Sequence, residues 1–298
     1  MKRLFTLAAL VVMTSVMASA AKPKLLVEHV EPLSWWVGMN TPLQLMIHGE
    51  AISEWEVAIY PEGQGVRVRA VHRADSPNYL FVDVDVKSDA VAGDYTLRFT
   101  NGRQTVDYPY TIAQREAGSA ERKSFTTADF VYLIMPDRFA NGDESNDSTY
   151  NTREKVNRSN PGRRHGGDIQ GMIDHLDYIA DLGATAIWST PLLLDDENGP
   201  SYHGYSCSDY YHIDPRYGSN ELYRSYVEEC HKRGLKVIMD IVPNHSSTTH
   251  WWYYDQPFED WIHKFDSYTQ SNWTFSTNMD FNASSADLYQ MESGWVDS

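Results

Sequence analysis

Near residue 115 the spacing of apolar residues changes from two to a helical period, and few architectures accommodate both halves. Upstream, "PLQLMIHG" sets Leu43, Leu45 and Ile47 on one face, and "VRVRAVHR" alternates Val66, Val68 and Ala70 with polar neighbours. "YLFVDVDV" places Leu80, Val82, Val84 and Val86 opposite Phe81, Asp83 and Asp85. "YTLRFTNGRQTVDYPYTI" carries Asn101-Gly102, a strong hairpin signal, between two alternating runs. About seven short strands over residues 21–115 predict an immunoglobulin-like β-sandwich as the N-terminal domain. Within it, Trp35 and Trp36 suit either a flat platform for a sugar or one buried and one edge residue.

Residues 113–128 are polar and read as a linker, with the domain boundary between 115 and 116. "FVYLIM" (130–135) is then a continuous apolar run, as in a strand buried on both faces. "DIQGMIDHLDYIADLG" puts Ile169, Met172, Ile173, Leu176 and Ile179 at helical spacing, with Asp168 as cap and Gly183 as stop. "ATAIW" (184–188) is a second strand. "NELYRSYVEECHKRG" is a second helix capped by Ser219, with Leu222, Tyr226, Val227 and Cys230 inward and Gly234 as stop. "KVIMDIV" is a third strand. Strand, helix, strand, helix, strand implies right-handed βαβ units and a parallel sheet. No Gly-rich phosphate loop follows the first strand, and long polar loops follow each strand end. That favours the start of a (β/α)8 TIM barrel over a dinucleotide-binding sheet. Three βα units occupy residues 116–245, and residues 246–298 show no clear fourth.

The 298 residues, 42% of them hydrophobic, fit two domains. Lys+Arg total 25 against 41 Asp+Glu, a net charge of −16, which argues against nucleic acid as a partner. Nine Trp and nineteen Tyr suit a neutral, flat-faced ligand such as a sugar ring, although most of them are expected in the core. Lys2 and Arg3, an apolar run over 4–16 and Ala18-Ser19-Ala20 predict an export signal over residues 1–20, too short for a membrane span. No cysteine follows the cleavage position, so no lipid anchor and no membrane anchor are expected, and the periplasm is the expected location. Cys207 and Cys230 could form one disulfide, but Cys230 on an apolar helix face suits a buried free thiol.

Three clusters carry chemistry. In "NGDESND" (141–147) and "GGD" (166–168), Asn141, Asp143, Asn146, Asp147 and Asp168 offer side-chain oxygens in Gly-kinked loops, which suits Ca²⁺ as well as a solvated acidic turn. No Glu closes a twelve-residue loop, so an EF-hand is excluded. In "YHGYSCSDYYHID" (202–214), His203, Tyr205, Asp209 and Tyr211 follow the second strand, where a His–Tyr pair could bond and stack on a sugar. His203 and His212 match no zinc spacing. In "KVIMDIVPNH", Asp240 ends the third strand, with Asn244 and His245 just beyond, at the end where barrels place active sites.

Together these stretches resemble the α-amylase family of glycoside hydrolases, and its neopullulanase and cyclomaltodextrinase branch in particular. "DIVPNH" and "GATAIWSTP" resemble two family signatures, "MPDRFANGDESND" with "GGDIQG" the branch's calcium loop, and "HGYSCSDYYHIDPRYGSNELY" the substrate loop after strand two. The resemblance covers residues 130–250, and the N-terminal sandwich by position. It implies Asn141, Asp143, Asn146, Asp147, Asp168 and the Gly166 carbonyl as Ca²⁺ ligands. It implies Tyr205 as the residue stacking on the sugar, His245 as a partner of that sugar's hydroxymethyl group, His203 as a substrate contact, and Asp240 as a support. It further implies α-glucan substrates (maltodextrin, cyclodextrin, pullulan) and a homodimer formed through the N-terminal domain.

The family's chemistry needs an Asp nucleophile and a Glu acid/base about 5–5.5 Å apart. The nucleophile lies in a G-x-R-x-D signature on strand four, and none follows His245. Residues 246–298 resemble the domain inserted between strand three and helix three, cut before strand four. Glu292 and Asp297 sit in contexts that support neither role. The expectation is the N-terminal part of a secreted retaining α-glucan hydrolase, inactive by itself. The alternatives are a non-catalytic glucan-binding protein and a calcium-stabilised structural module.

Overall fold

The computed structural model describes residues 27–102, 104–264 and 284–285. The expected export signal, Glu292 and Asp297 lie outside the described residues, as does most of the expected inserted domain. The chain divides into two compact units, Met1–Arg115 and Glu116–Ser298.

The first unit holds β1 (His29–Glu31), β2 (Ser34–Trp36), β3 (Leu43–His48), β4 (Glu56–Tyr60), β5 (Val66–Arg73), β6 (Tyr79–Val86), β7 (Gly93–Asn101) and β8 (Gln104–Ala113). They form two four-stranded sheets, β1-β3-β6-β5 and β2-β8-β7-β4. Leu45, Ile47, Leu80 and Val82 of one sheet share a core with Leu97, Phe99 and Ile112 of the other. The strands number eight among the described residues, one more than expected. The leading segment splits into two three-residue strands, too short to show alternation, and β2 pairs parallel with β8. The expected facing of Ala70 is corrected by a bulge between Val68 and Ala70, after which Val71 packs on the core and not Ala70. Asn101-Gly102 does join an antiparallel pair, β7 and β8. Trp35 packs against the core while Trp36 stays exposed, the second of the two readings of that pair.

The second unit runs β9 (Val131–Ile134), α1 (Pro136–Phe139), α2 (Ile169–Asp174), α3 (Leu176–Asp181), β10 (Ala186–Ser189), β11 (Leu193–Leu194), β12 (Asp209–Ile213), α4 (Asn220–Lys232), β13 (Lys236–Met239) and α5 (Trp251–Tyr254). β9, β10 and β13 form a parallel sheet in the order β13-β10-β9, with Leu133, Trp188 and Ile238 in one row. Tyr132, Ile187 and Val237 face a core completed by Met172, Leu176, Ile179, Tyr226 and Cys230. Among the described residues the opposite face is left open, with Leu133 57% and Trp188 39% exposed, so "FVYLIM" is not buried on both sides there. Only Lys236–Met239 of "KVIMDIV" pairs as a strand, and Ile241 is exposed.

The expected helix after Asp168 is two short helices broken at His175. There ψ reaches 12° and the imidazole Nδ1 turns back to the Gly171 carbonyl, 2.8 Å away. The caps stand as read: the Asp168 carboxylate accepts from Gly171 N–H (2.7 Å) and Ser219 Oγ from Leu222 N–H (3.1 Å). Cys207 and Cys230 are free, buried thiols, and burial pushes the Cys230 thiol up to about 11.

Candidate active site

The C-terminal ends of β10 and β13 lie side by side, because Ser189 pairs with Met239. Asp240 therefore emerges next to the end of β10. Its Oδ2 accepts two hydrogen bonds, from the Trp188 indole N–H (3.1 Å) and from the Tyr205 hydroxyl (3.3 Å). Burial and the Asp240 charge both push the Tyr205 hydroxyl up, so it stays a donor near neutral pH. Tyr205 nonetheless remains 39% exposed. An aromatic face open to solvent, backed by a carboxylate, is a surface on which a neutral ring can lie.

The backbone of Tyr205 is equally constrained. Its N–H donates to His203 Nδ1 (3.0 Å), and the two rings lie 6.0 Å apart. Asn244 Nδ2 donates to His245 Nδ1 (3.1 Å), which leaves His245 Nε2–H to donate to the Tyr205 carbonyl (3.0 Å). Gly204 sits at φ 78°, and a Cβ there would stand 2.1 Å from the Pro191 carbonyl oxygen. Only glycine lets the chain turn that tightly before presenting Tyr205. The structure thus brings His203, Tyr205, Asp240 and His245 together, and adds Trp188, which the sequence reading left aside. The signal for Trp188 was present: alternation in "AIWS" puts it opposite Ile187 at a strand end. Asp209 does not join this group; its carboxylate accepts from Tyr211 N–H and faces His212 at 2.7 Å.

Beneath this wall lies a buried ionic network that the sequence reading also missed. Arg164, Asp214 and Arg216 are each no more than 1% exposed. Asp214 takes Arg164 Nη2 (3.0 Å), Arg216 Nε (2.9 Å) and Arg216 Nη2 (2.6 Å). Burial alone would raise the Asp214 carboxyl, but Arg164 and Arg216 outweigh it and hold it below the ordinary carboxylate range. Arg164 also donates to Ser201, whose N–H and Oγ both donate to Glu154 at 2.6 Å. These bonds tie the segment before Asp168 to the loop that carries His203 and Tyr205.

The second cluster folds around Asp168. Its buried carboxylate accepts from Gly142 N–H (3.0 Å), Asp143 N–H (2.9 Å), Asn146 Nδ2 (3.1 Å) and Gly171 N–H. Asn141 Nδ2 donates to Asp147 (2.7 Å), which also pairs with Arg158 (2.7 Å). Gly166 is at φ 90°, and a Cβ there would stand 2.1 Å from Asp147 Oδ1, so the carboxylate lies directly on this backbone. Asn146 Oδ1 is buried with no hydrogen-bond partner among the described residues. Among the described residues, no three His, Cys, Asp or Glu side chains meet as a ready metal cluster.

A family profile described as the α-amylase catalytic domain matches residues 133–292. The chain belongs to the α-amylase family. A second profile, described as the cyclomaltodextrinase N-terminal domain, matches residues 29–116. A cyclomaltodextrinase of Thermoanaerobacter pseudethanolicus is 42% identical over 138 residues, 46% of this chain and 23% of that protein. Neopullulanase 2 of Thermoactinomyces vulgaris is 35% identical over 175 residues, 56% of this chain and 28% of that protein. An intracellular maltogenic amylase of Bacillus subtilis is 33% identical over 240 residues, 76% of this chain and 38% of that protein. The alignments cover between about a quarter and two fifths of these relatives' lengths.

Proposed function

We propose that residues 130–250 form one wall of an α-glucan-binding cleft, in an exported hydrolase acting on the α-1,4 bonds of starch-derived oligosaccharides. The observation that carries this reading is the convergence of Tyr205 and Trp188 on Asp240, with the Tyr205 backbone clamped by His203 and His245. Tyr205 offers its ring face to a sugar. Asp240 holds the hydroxyl end of that ring and so fixes its plane. Both His245 nitrogens are already engaged, so a sugar hydroxymethyl group would share Nε2–H with the Tyr205 carbonyl. The retaining chemistry itself needs two further carboxyl groups, and no G-x-R-x-D stands after His245 to supply the first.

Fluorescence titration of the 298-residue chain with maltohexaose tests the wall. Saturable binding is expected, weakened about tenfold in Tyr205→Ala, the loss of roughly 1.4 kcal/mol of stacking. No binding by the intact chain would sink the reading. Release of reducing sugar from pullulan or cyclodextrin is the companion assay: the chain alone is expected to release none.

Calcium is the cation the loop over 141–147 suits. The Asn146 Oδ1 atom is a buried acceptor in need of a partner, and a half-turn of the Asn141 and Asn146 amides would present oxygens beside Asp147 and Asp168. Asn141, Asp143, Asn146, Asp147, Asp168 and the Gly166 carbonyl would then supply the oxygen-only set that Ca²⁺ takes. A bound ion would stiffen the loop against α2; it supplies no step of the chemistry.

A further inference from the structure

Asp195 follows β11 directly and is fully buried. Among the described residues, its carboxylate accepts from two backbone amides, Glu197 N–H at Oδ1 (3.3 Å) and Ser206 N–H at Oδ2 (3.1 Å). The two nearby guanidinium groups both donate to Asp214, and Arg216 meets Asp195 at its backbone carbonyl (2.6 Å). His203 faces the carboxylate, with Nδ1 3.9 Å from Oδ2. That nitrogen is the acceptor for Tyr205 N–H, and Ser206, the residue Asp195 holds, is next in the chain.

We propose that Asp195 is a positioning residue for Tyr205, acting through a proton latch with His203. As a carboxylate it anchors the 203–207 turn at Ser206 and leaves His203 Nδ1 free to accept from Tyr205. When Asp195 Oδ2 takes a proton from solvent, the new O–H has His203 Nδ1 within about 1 Å of hydrogen-bond distance. Whether the proton stays on oxygen or passes to nitrogen, the Nδ1 lone pair is occupied and Tyr205 N–H loses its partner. No other bond forms or breaks. The charged and titratable groups around Asp195 are Glu197, His203 and Cys207 of its own loop, Asp214 and Arg216 after β12, and Arg164 with Glu154 before α2. Burial outweighs the Ser206 and Glu197 amides and Arg164 and pushes the Asp195 carboxyl up to about 7, while burial and Arg164 push His203 down. The latch therefore works in the neutral range. Its meaning for substrate rests on the glucan-wall reading.

The ¹⁵N shift of His203 Nδ1 in the full chain, assigned with His203→Asn, reads the latch without any sugar. A step between about pH 6 and 8 is expected, absent in Asp195→Asn, whose amide does not titrate. A flat wild-type profile overturns the proposal, and this arm needs no variant at Asp195 to fold. So does the same step in Asp195→Asn. Affinity for maltohexaose is expected to fall roughly fivefold from about pH 8 to about pH 5.5, the effect of one uncharged hydrogen bond. A step with unchanged affinity overturns the positioning role. A step in a chain that binds no maltohexaose supports the latch and removes the glucan wall instead.

Discussion

At the residue scale the buried ions set the largest single effects. Asp214 accepts from two buried guanidinium groups, Arg164 and Arg216. Removing one partner of such a set costs about 3–5 kcal/mol, because the remaining charges stay buried. Asp214→Asn should therefore lower the urea midpoint of the second unit by that free energy, without altering the first. Asp195 acts with the opposite sign. Its folded value of about 7 lies above that of an unfolded carboxyl, so the folded chain binds the extra proton between about pH 4 and 7, and stability falls as pH rises through that window. Asp129, drawn down to about 2 by Lys236, contributes stability above about pH 4 that is lost as pH falls toward 2. Urea midpoints taken from pH 3 to 8 should thus peak on the acid side of neutrality, and Asp195→Asn should flatten the upper limb.

At the element scale the two helix caps differ in what they hold. Ser219 Oγ satisfies one amide at the start of α4, so Ser219→Ala should cost about 1 kcal/mol. The Asp168 carboxylate satisfies three backbone amides and the Asn146 side chain, tying α2 to the 142–146 turn. Asp168→Ala should cost well over twice the Ser219 effect, since each buried donor left unmade adds about 1–3 kcal/mol. Equilibrium unfolding of both variants against the wild type measures the contrast. The break between α2 and α3 belongs to this scale too: apolar spacing runs through His175, yet the first helix ends there, where the imidazole turns back to the Gly171 carbonyl.

For the whole molecule, two separate cores imply two melting events. Calorimetry of the full chain should resolve them. Added Ca²⁺ should shift only the transition of the second unit, by about 2.7 kcal/mol at a hundredfold excess over its dissociation constant. Asn146→Ala should abolish that shift. A calcium response in the first unit, or none in either, would remove the cation from the loop over 141–147.

What could be read along the chain was whatever depends on near neighbours. Period and capping chemistry gave the two-layered strands, the parallel βαβ order, Asp168 and Ser219 as caps, and Asp240 at a strand end, because helices and strands impose those spacings locally. The family likeness added Tyr205, His203 and His245. Tertiary structure alone decided which of these touch: Tyr205 reaches Asp240 across 35 positions, and Trp188 reaches it across 52. It alone showed that the row of Leu133 and Trp188 lies open, and that β5 is bulged so that Val71 and not Ala70 meets the core. It alone buried Arg164 against Asp214, and left Asp195 with two amides and a histidine. Burial and long-range pairing are properties of the packed chain, and a carboxylate carries no mark in sequence of whether water or a guanidinium will answer its charge.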